Sequence, residues 1–205
     1  MNEALARWAQ RIQALSQTGL TYARDPYDRE RYEELREIAA EMLAAPLGAA
    51  PPELLALFRA EEGYATPKID VRGVVIQDDR VLLVRERSDG LWTLPGGWAD
   101  VGDAPSHAVE REIWEESGYE AKAAKLLALY DRNLHGHPPM AFHVYKAFFR
   151  CEITGGAASV SNETDGVDFF ALNALPPLSV ERVTAEQIAR FFDHAPHLDW
   201  PTDFD

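Results

Sequence analysis

The sequence predicts a mixed α/β layered domain preceded by a small all-helical segment. Three observations carry that prediction. Residues 1–64 repeat apolar side chains at helical spacing. From residue 68 onward, short Val-, Leu- and Ile-rich runs flank a central amphipathic helix. A last helix near the C-terminus opens on a capping-box pattern. Strands around a central helix, with another helix at the end, make a layered α/β architecture.

The elements follow in order. Leu5, Trp8, Ile12 and Leu15 form the predicted apolar stripe of a first helix, which Gly19 is placed to end. Asp25-Pro26 starts a second helix, Asp as N-cap and Pro at the first helical position, with Tyr32, Leu35, Ile38 or Ala39, and Met42 facing inward. The segment Pro46–Pro52 is predicted to break it, and a third helix carries Leu54, Leu57 and Phe58. So short a helical segment has a marginal core alone and should pack on the rest of the chain or on a second copy. Gly63–Pro67 (GYATP) reads as a linker, giving domains 1–64 and 65–205. Val71–Gln77 and Arg80–Arg87 are predicted strands joined by a tight turn at Asp78-Asp79. Trp92–Leu94 is a short strand ended by Pro95-Gly96-Gly97, and a helix spans residues 104–117. Strands are then expected at Ala124–Tyr130, Phe142–Cys151 and Val167–Phe170. Thr184, with Gln187 three residues on, opens the final helix, which should bury Ile188, Phe191 and Phe192.

Composition narrows the function classes. The chain has 205 residues, 46% of them apolar, enough to bury a real core. Its net charge of −14 argues against non-specific binding to nucleic acid or anionic membrane, because phosphates are repelled at long range. An anionic small molecule would need cations to mediate its contact. The single cysteine, Cys151, excludes an intrachain disulfide framework and a Cys-rich zinc site, and it sits in an apolar run as a core residue would. No apolar run reaches transmembrane length and no signal-peptide core opens the chain, so a cytoplasmic location is expected.

The chemistry concentrates in GGWADVGDAPSHAVEREIWEESGY, residues 96–119. Glu112, Glu115 and Glu116 crowd two turns of helix at i, i+3 and i+4, a spacing at which like charges destabilise. Two carboxylates ~6 Å apart repel by roughly 0.7 kcal/mol in water and ~3 kcal/mol at an effective dielectric of about 20. Such a cluster is either solvated or meant for a cation. Val109 and Ile113 give the same helix an apolar side, while Arg111 reaches Glu115 and, at the helix start, Asp103. Gly96-Gly97 lets the backbone turn and bring a carbonyl oxygen near the carboxylates. Oxygen-only donors of this kind favour Mg²⁺ or Mn²⁺ over zinc.

From Gly97 to Gly118 the stretch resembles the Nudix box: Gly, five residues, Glu, seven residues, Arg-Glu, an aliphatic, any residue, Glu-Glu, any residue, Gly, then an aliphatic. Arg111-Glu112-Ile113 and Glu115-Glu116 fill its centre, with Gly97 and Gly118 at its ends. Asp103 stands where the family usually has Glu, and Tyr119 where an aliphatic is usual. The resemblance implies a Nudix α/β/α sandwich with a mixed sheet, and divalent-metal hydrolysis of a nucleoside diphosphate linked to another moiety. It implies Glu112, Glu115 and Glu116 as metal ligands, Glu116 bridging ions, and Gly96 as the carbonyl ligand. Glu163, in SNETDGVDFF, resembles the loop glutamate that serves the family as ligand or base, with an ordinary surface-loop glutamate as the alternative. Arg72, Arg85 and Arg87 are candidate phosphate-binding residues, with ordinary solvent-facing arginines as the alternative. Asp168, by strand alternation, is a weaker candidate than Glu163, and His135, His137 and His143 lack metal spacing relative to the box.

The N-terminal GLTYARDPYDRERYEELREIAAEML, together with KIDVRGVV, LLVRER and HVYKAFF, is similar to a bacterial Nudix subgroup with a helical N-terminal domain. That subgroup is associated with ADP-ribose and CDP-choline-type substrates and with homodimers. A non-catalytic, nucleotide-sensing module of the same fold is the competing expectation.

Overall fold

The computed structural model describes residues 2–205, the side chains from residue 4. The chain divides into two compact units. The first is the chain up to Lys68 together with Pro139–His143, and the second is Ile69–Pro138 with Val144–Asp205.

The first unit holds three helices, α1 (Asn2–Tyr22), α2 (Pro26–Leu47) and α3 (Pro51–Arg59). Asp25 caps α2 as expected, its side chain accepting from the amides of Tyr27 and Asp28. The core of this unit is Ala6, Ala9, Ala39, Ala40, Leu43, Leu54 and Phe58, with Phe142 edge-on to Phe58. Three expectations are corrected. The buried side of α1 carries alanines and glutamines, while Trp8 is 58% and Leu15 65% exposed. Gln10 donates to the carbonyls of Met140 and Phe142, and Gln17 to those of Glu62 and Gly63. The buried polar side chains thus fasten non-helical chain that has no ladder partners of its own. Gly19 does not end α1; a side chain there would strike the Tyr32 ring, so it is a point of close helix approach. Pro46 sits in the last turn of α2, which ends at Gly48 in the left-handed conformation.

The second unit is a sandwich of two sheets between helices. Its strands are β1 (Lys68–Val74), β2 (Ile76–Gln77), β3 (Arg80–Glu86), β4 (Trp92–Thr93), β5 (Gly96–Trp98), β6 (Tyr119–Asp131), β7 (Val144–Gly156), β8 (Thr164–Ala171) and β9 (Asp203–Phe204). Its helices are α4 (Pro105–Ser117) and α5 (Ala185–His194). One sheet runs β5-β1-β7-β6-β9 and is mixed, since β9 joins β6 in parallel while β6 pairs β7 antiparallel. The other runs β2-β3-β4, with β8 also paired to β3. Asp78 and Asp79 both have positive φ, the two-residue hairpin geometry that returns β2 into β3.

Alternation along β3 sorts residues into two cores. Leu82 faces a cluster with Val71, Val75, Val109, Ile113 and Cys151, packed under α4. Val81 and Leu83 face the opposite cluster with Phe148, Ile188 and Phe191, packed under α5. The capping box of α5 forms as expected between Thr184 and Gln187. Two elements differ from expectation: Gly96–Trp98 is a strand rather than the end of one, and β9 was not anticipated. No described helix is long and apolar enough to cross a membrane.

Candidate active site

The glutamates lie on α4, which Val109 and Ile113 press against the sheet. The helix ends at Gly118, φ 76°, the left-handed position that glycine adopts without cost. Gly118 also lacks room for a side chain, because an added Cβ would lie 2.7 Å from Ser159 Cβ.

Glu116 is buried, 4% exposed, and its Oε2 accepts from the amide of Gly96 at 2.8 Å. Burial pushes its carboxyl up to about 8, against the opposing pull of Arg72 and the Gly96 amide. Glu112 is half-buried, and burial raises its carboxyl too, with Arg111 opposing. Gly97 lies under Glu112, so that a Cβ would come 2.9 Å from Glu112 Oε2. Glu115 is exposed.

Arg111 joins these groups. Its Nη1 donates to Glu112 Oε1 and Glu115 Oε2, each at 2.9 Å, and its Nη2 reaches Asp100 at 3.3 Å and Asp103 at 3.5 Å. The shorter side chain of Asp103 therefore still meets the arginine. With Glu112 and Glu115 drawn to Arg111 and Glu116 turned to Gly96, no three ligating side chains converge among the described residues. The donor set nevertheless suits a hard divalent cation: carboxylate and carbonyl oxygens only, around a buried carboxylate that gains from an added cation.

Glu163 is brought to the same place. A cavity of about 630 Å³ is lined by Trp114, Glu115, Glu116 and Glu163, with Ser159 to Asn162 between. The loop bearing Glu163 is tied to α4: Ser159 N donates to Ser117 O at 2.9 Å, and Thr164 Oγ1 to Glu116 O at 2.7 Å. Asp168 is exposed on β8, as strand alternation predicted.

The three arginines separate. Arg85, half-buried, pairs with Asp165 at 2.6 Å, and the exposed Arg87 donates from Nε to Ser161 O at 3.2 Å, so both brace the Glu163 loop. Arg72 corrects the expectation of a phosphate contact. It is 5% exposed, with Nε on Asp70 Oδ1 at 2.9 Å and Nη1 on Leu94 O at 3.1 Å, so it is held inside the protein rather than facing solvent.

Sequence reasoning missed Glu86, at the end of β3. It is buried, 3.3 Å from Arg182, and its charge acts on both Arg72 and Glu116. An acidic residue closing an apolar strand was the available signal. The histidines stay out of the site: His137 donates from Nδ1 to Val180 O, and His135 meets Asp205.

Comparisons with known proteins identify the family. Residues 3–58 match the family model described as a UDP-X-like, N-terminal oligomerisation domain, and residues 67–191 match the NUDIX domain. A Bacillus subtilis (strain 168) protein named "Putative ADP-ribose pyrophosphatase YjhB" is 46% identical over 197 residues, 96% of this chain and 95% of that protein. The crystal structure of an ADP-ribose pyrophosphatase from Streptococcus suis 89-1591 is 39% identical, covering 68% of this chain and 100% of its own, with TM-score 0.64. The crystal structure of a UDP-X diphosphatase covers 100% of this chain and 99% of its own at 34% identity, also with TM-score 0.64. The chain therefore belongs to the Nudix family, as a pyrophosphohydrolase that carries the UDP-X-like helical N-terminal domain.

Proposed function

We propose that this enzyme hydrolyses the diphosphate bond of a nucleoside diphosphate linked to a second moiety, ADP-ribose first among them, giving two phosphate monoesters. The observation that carries the proposal is the convergence of Glu115, Glu116 and Glu163 on one open cavity. Relatives named as ADP-ribose pyrophosphatases support the choice of ADP-ribose.

Glu112, Glu115 and Glu116, with the Gly96 carbonyl, would hold Mg²⁺ or Mn²⁺. Such ions, when bound, neutralise the diphosphate and lower the pKa of a coordinated water. Arg111 holds Glu112 and Glu115 together on one side of the helix. Glu163 would orient the attacking water and accept its proton. Water oxygen bonds to one phosphorus, and the bridging oxygen leaves with the other phosphate. Arg85 and Arg87, beside the Glu163 loop, would meet phosphate oxygens. The net charge of −14 favours metal mediation for an anionic substrate.

The helical domain is proposed to form a homodimer. Trp8, Leu15 and Tyr22 are exposed at seven-residue intervals on α1, an apolar row suited to a second helix.

The test is phosphate-monoester release from ADP-ribose, CDP-choline, NADH, a UDP-sugar and other nucleotide sugars, with Mg²⁺, Mn²⁺ or EDTA. Turnover of ADP-ribose that EDTA abolishes is expected. No turnover of any of them, with metal bound, would favour a nucleotide-sensing module instead.

A further inference from the structure

Arg72 is one end of a buried charged relay that the hydrolytic reading does not use. Lys146 on β7 is 1% exposed and Asp70 on β1 is 5% exposed. Lys146 Nζ donates to Asp70 Oδ2, and Asp70 Oδ1 accepts from Arg72 Nε. Arg72 Nη1 then donates to the carbonyl of Leu94, two residues before Gly96. The pairing of β1 with β5 sets Arg72 directly opposite Gly96. Contact there is close: a Cβ on Gly96 would lie 2.8 Å from Arg72 Cα. The segment Leu94–Gly96 is thus laid over Arg72 and held by its guanidinium, and the amide it presents is the one that Glu116 accepts from.

Burying charge is costly unless each charge meets a partner. Two cations share the single carboxylate of Asp70, leaving positive charge toward Glu116 and Glu86, both of which act on Arg72. A neutral amide at residue 70 would satisfy fewer of these donors and would leave the guanidinium free to turn away from Leu94.

We propose that Asp70, anchored by Lys146, is a positioning residue for the metal-binding carboxylates, acting through Arg72 on the Leu94–Gly96 segment and on Glu116. The proposal rests on the metal-dependent reading of the site. Groups that orient metal ligands typically contribute 10–100-fold in metal affinity or activity.

The experiment measures Mn²⁺ binding by calorimetry without substrate, beside kcat and KM with ADP-ribose at saturating Mn²⁺. Asp70→Asn combined with Lys146→Met removes one charge of each sign, so that the net charge of the buried cluster is unchanged. This variant should melt cooperatively, bind Mn²⁺ about 10–100-fold more weakly, and lose kcat with little change in substrate KM. Arg72→Lys keeps the charge but loses the two-sided grip, and should weaken Mn²⁺ binding in the same way. Lys146→Arg keeps an anchor for Asp70 and should retain wild-type Mn²⁺ affinity. A folded double variant, or Arg72→Lys if the double variant does not fold, that binds Mn²⁺ as tightly as wild type overturns the relay alone. A wild-type chain that takes up no Mn²⁺ overturns the metal reading and the relay with it.

Discussion

The amide of Gly96 donates to Glu116 Oε2 at 2.8 Å, joining the residue before the Nudix box to the last carboxylate within it. One hydrogen bond thereby fixes the orientation of a side chain that is otherwise buried without a protein cation in direct contact.

Glu116→Gln preserves the size of that side chain and an oxygen for the Gly96 amide. The variant should fold and melt as wild type does, while kcat falls at least ~100-fold, since loss of a ligand exceeds loss of a group behind it. Steady-state kinetics beside circular dichroism checks both halves; unchanged turnover would remove Glu116 from the metal set.

Glu163 is exposed, so Glu163→Ala should leave stability within about 0.5 kcal/mol of wild type. Its proposed part in handling the water's proton predicts a loss of ~10²–10⁴ in kcat. A change in KM alone would instead make it a binding residue.

His137 gives a pH test away from the catalytic carboxylates. Burial lowers its imidazole to about 4; the Val180 carbonyl and Asp70 oppose that shift, while Lys146 and Arg132 add to it. Gln187 Nε2 lies 3.1 Å from Nε2, which must stay unprotonated to accept. The unfolded chain takes up this proton near pH 6.5 and the folded chain only near 4, so stability falls as pH falls between those values. Urea unfolding at pH 7 and pH 5 should show about 2 kcal/mol of loss in wild type that is missing in His137→Gln. Equal slopes in the two proteins would contradict the assignment.

Trp8→Glu with Leu15→Glu addresses the exposed row on α1. Both positions face outward, so the monomer should keep its helicity. An aromatic interface anchor contributes about 2 kcal/mol or more, so dimer dissociation should rise by more than ~10-fold in sedimentation velocity. Dimers of wild-type affinity would place the interface elsewhere.

The legible parts of the sequence were those with short-range causes. Asp25-Pro26, the Thr184–Gln187 box, the Asp78-Asp79 turn and the spacing within the Nudix box each depend on residues a few positions apart. The first helix misled because Trp8 and Leu15 have the periodicity of a core stripe whichever partner they face, and here Gln10, Gln13 and Gln17 occupy the buried side. Arg72 misled for a related reason: its burial follows from sheet assembly, which brings Nη1 to Leu94 O, 22 residues on, and brings Lys146 to the neighbouring Asp70 across 76 residues. Pairings that depend on sheet topology leave little trace in local patterning.

The ties between α4 and the Glu163 loop carry a consequence for how such an enzyme diversifies. Ser117, Gly118 and Glu116 all offer backbone carbonyls to residues 157–164, so the loop is hung from the helix end. Glu116 and Glu163 are then neighbours on a single rigid mount, although 47 positions of chain divide them. Insertions into the far end of the β6–β7 hairpin leave the spacing of these two carboxylates undisturbed. An insertion between Ala157 and Glu163 has no such freedom, because it would shift one carboxylate while the other stays in place.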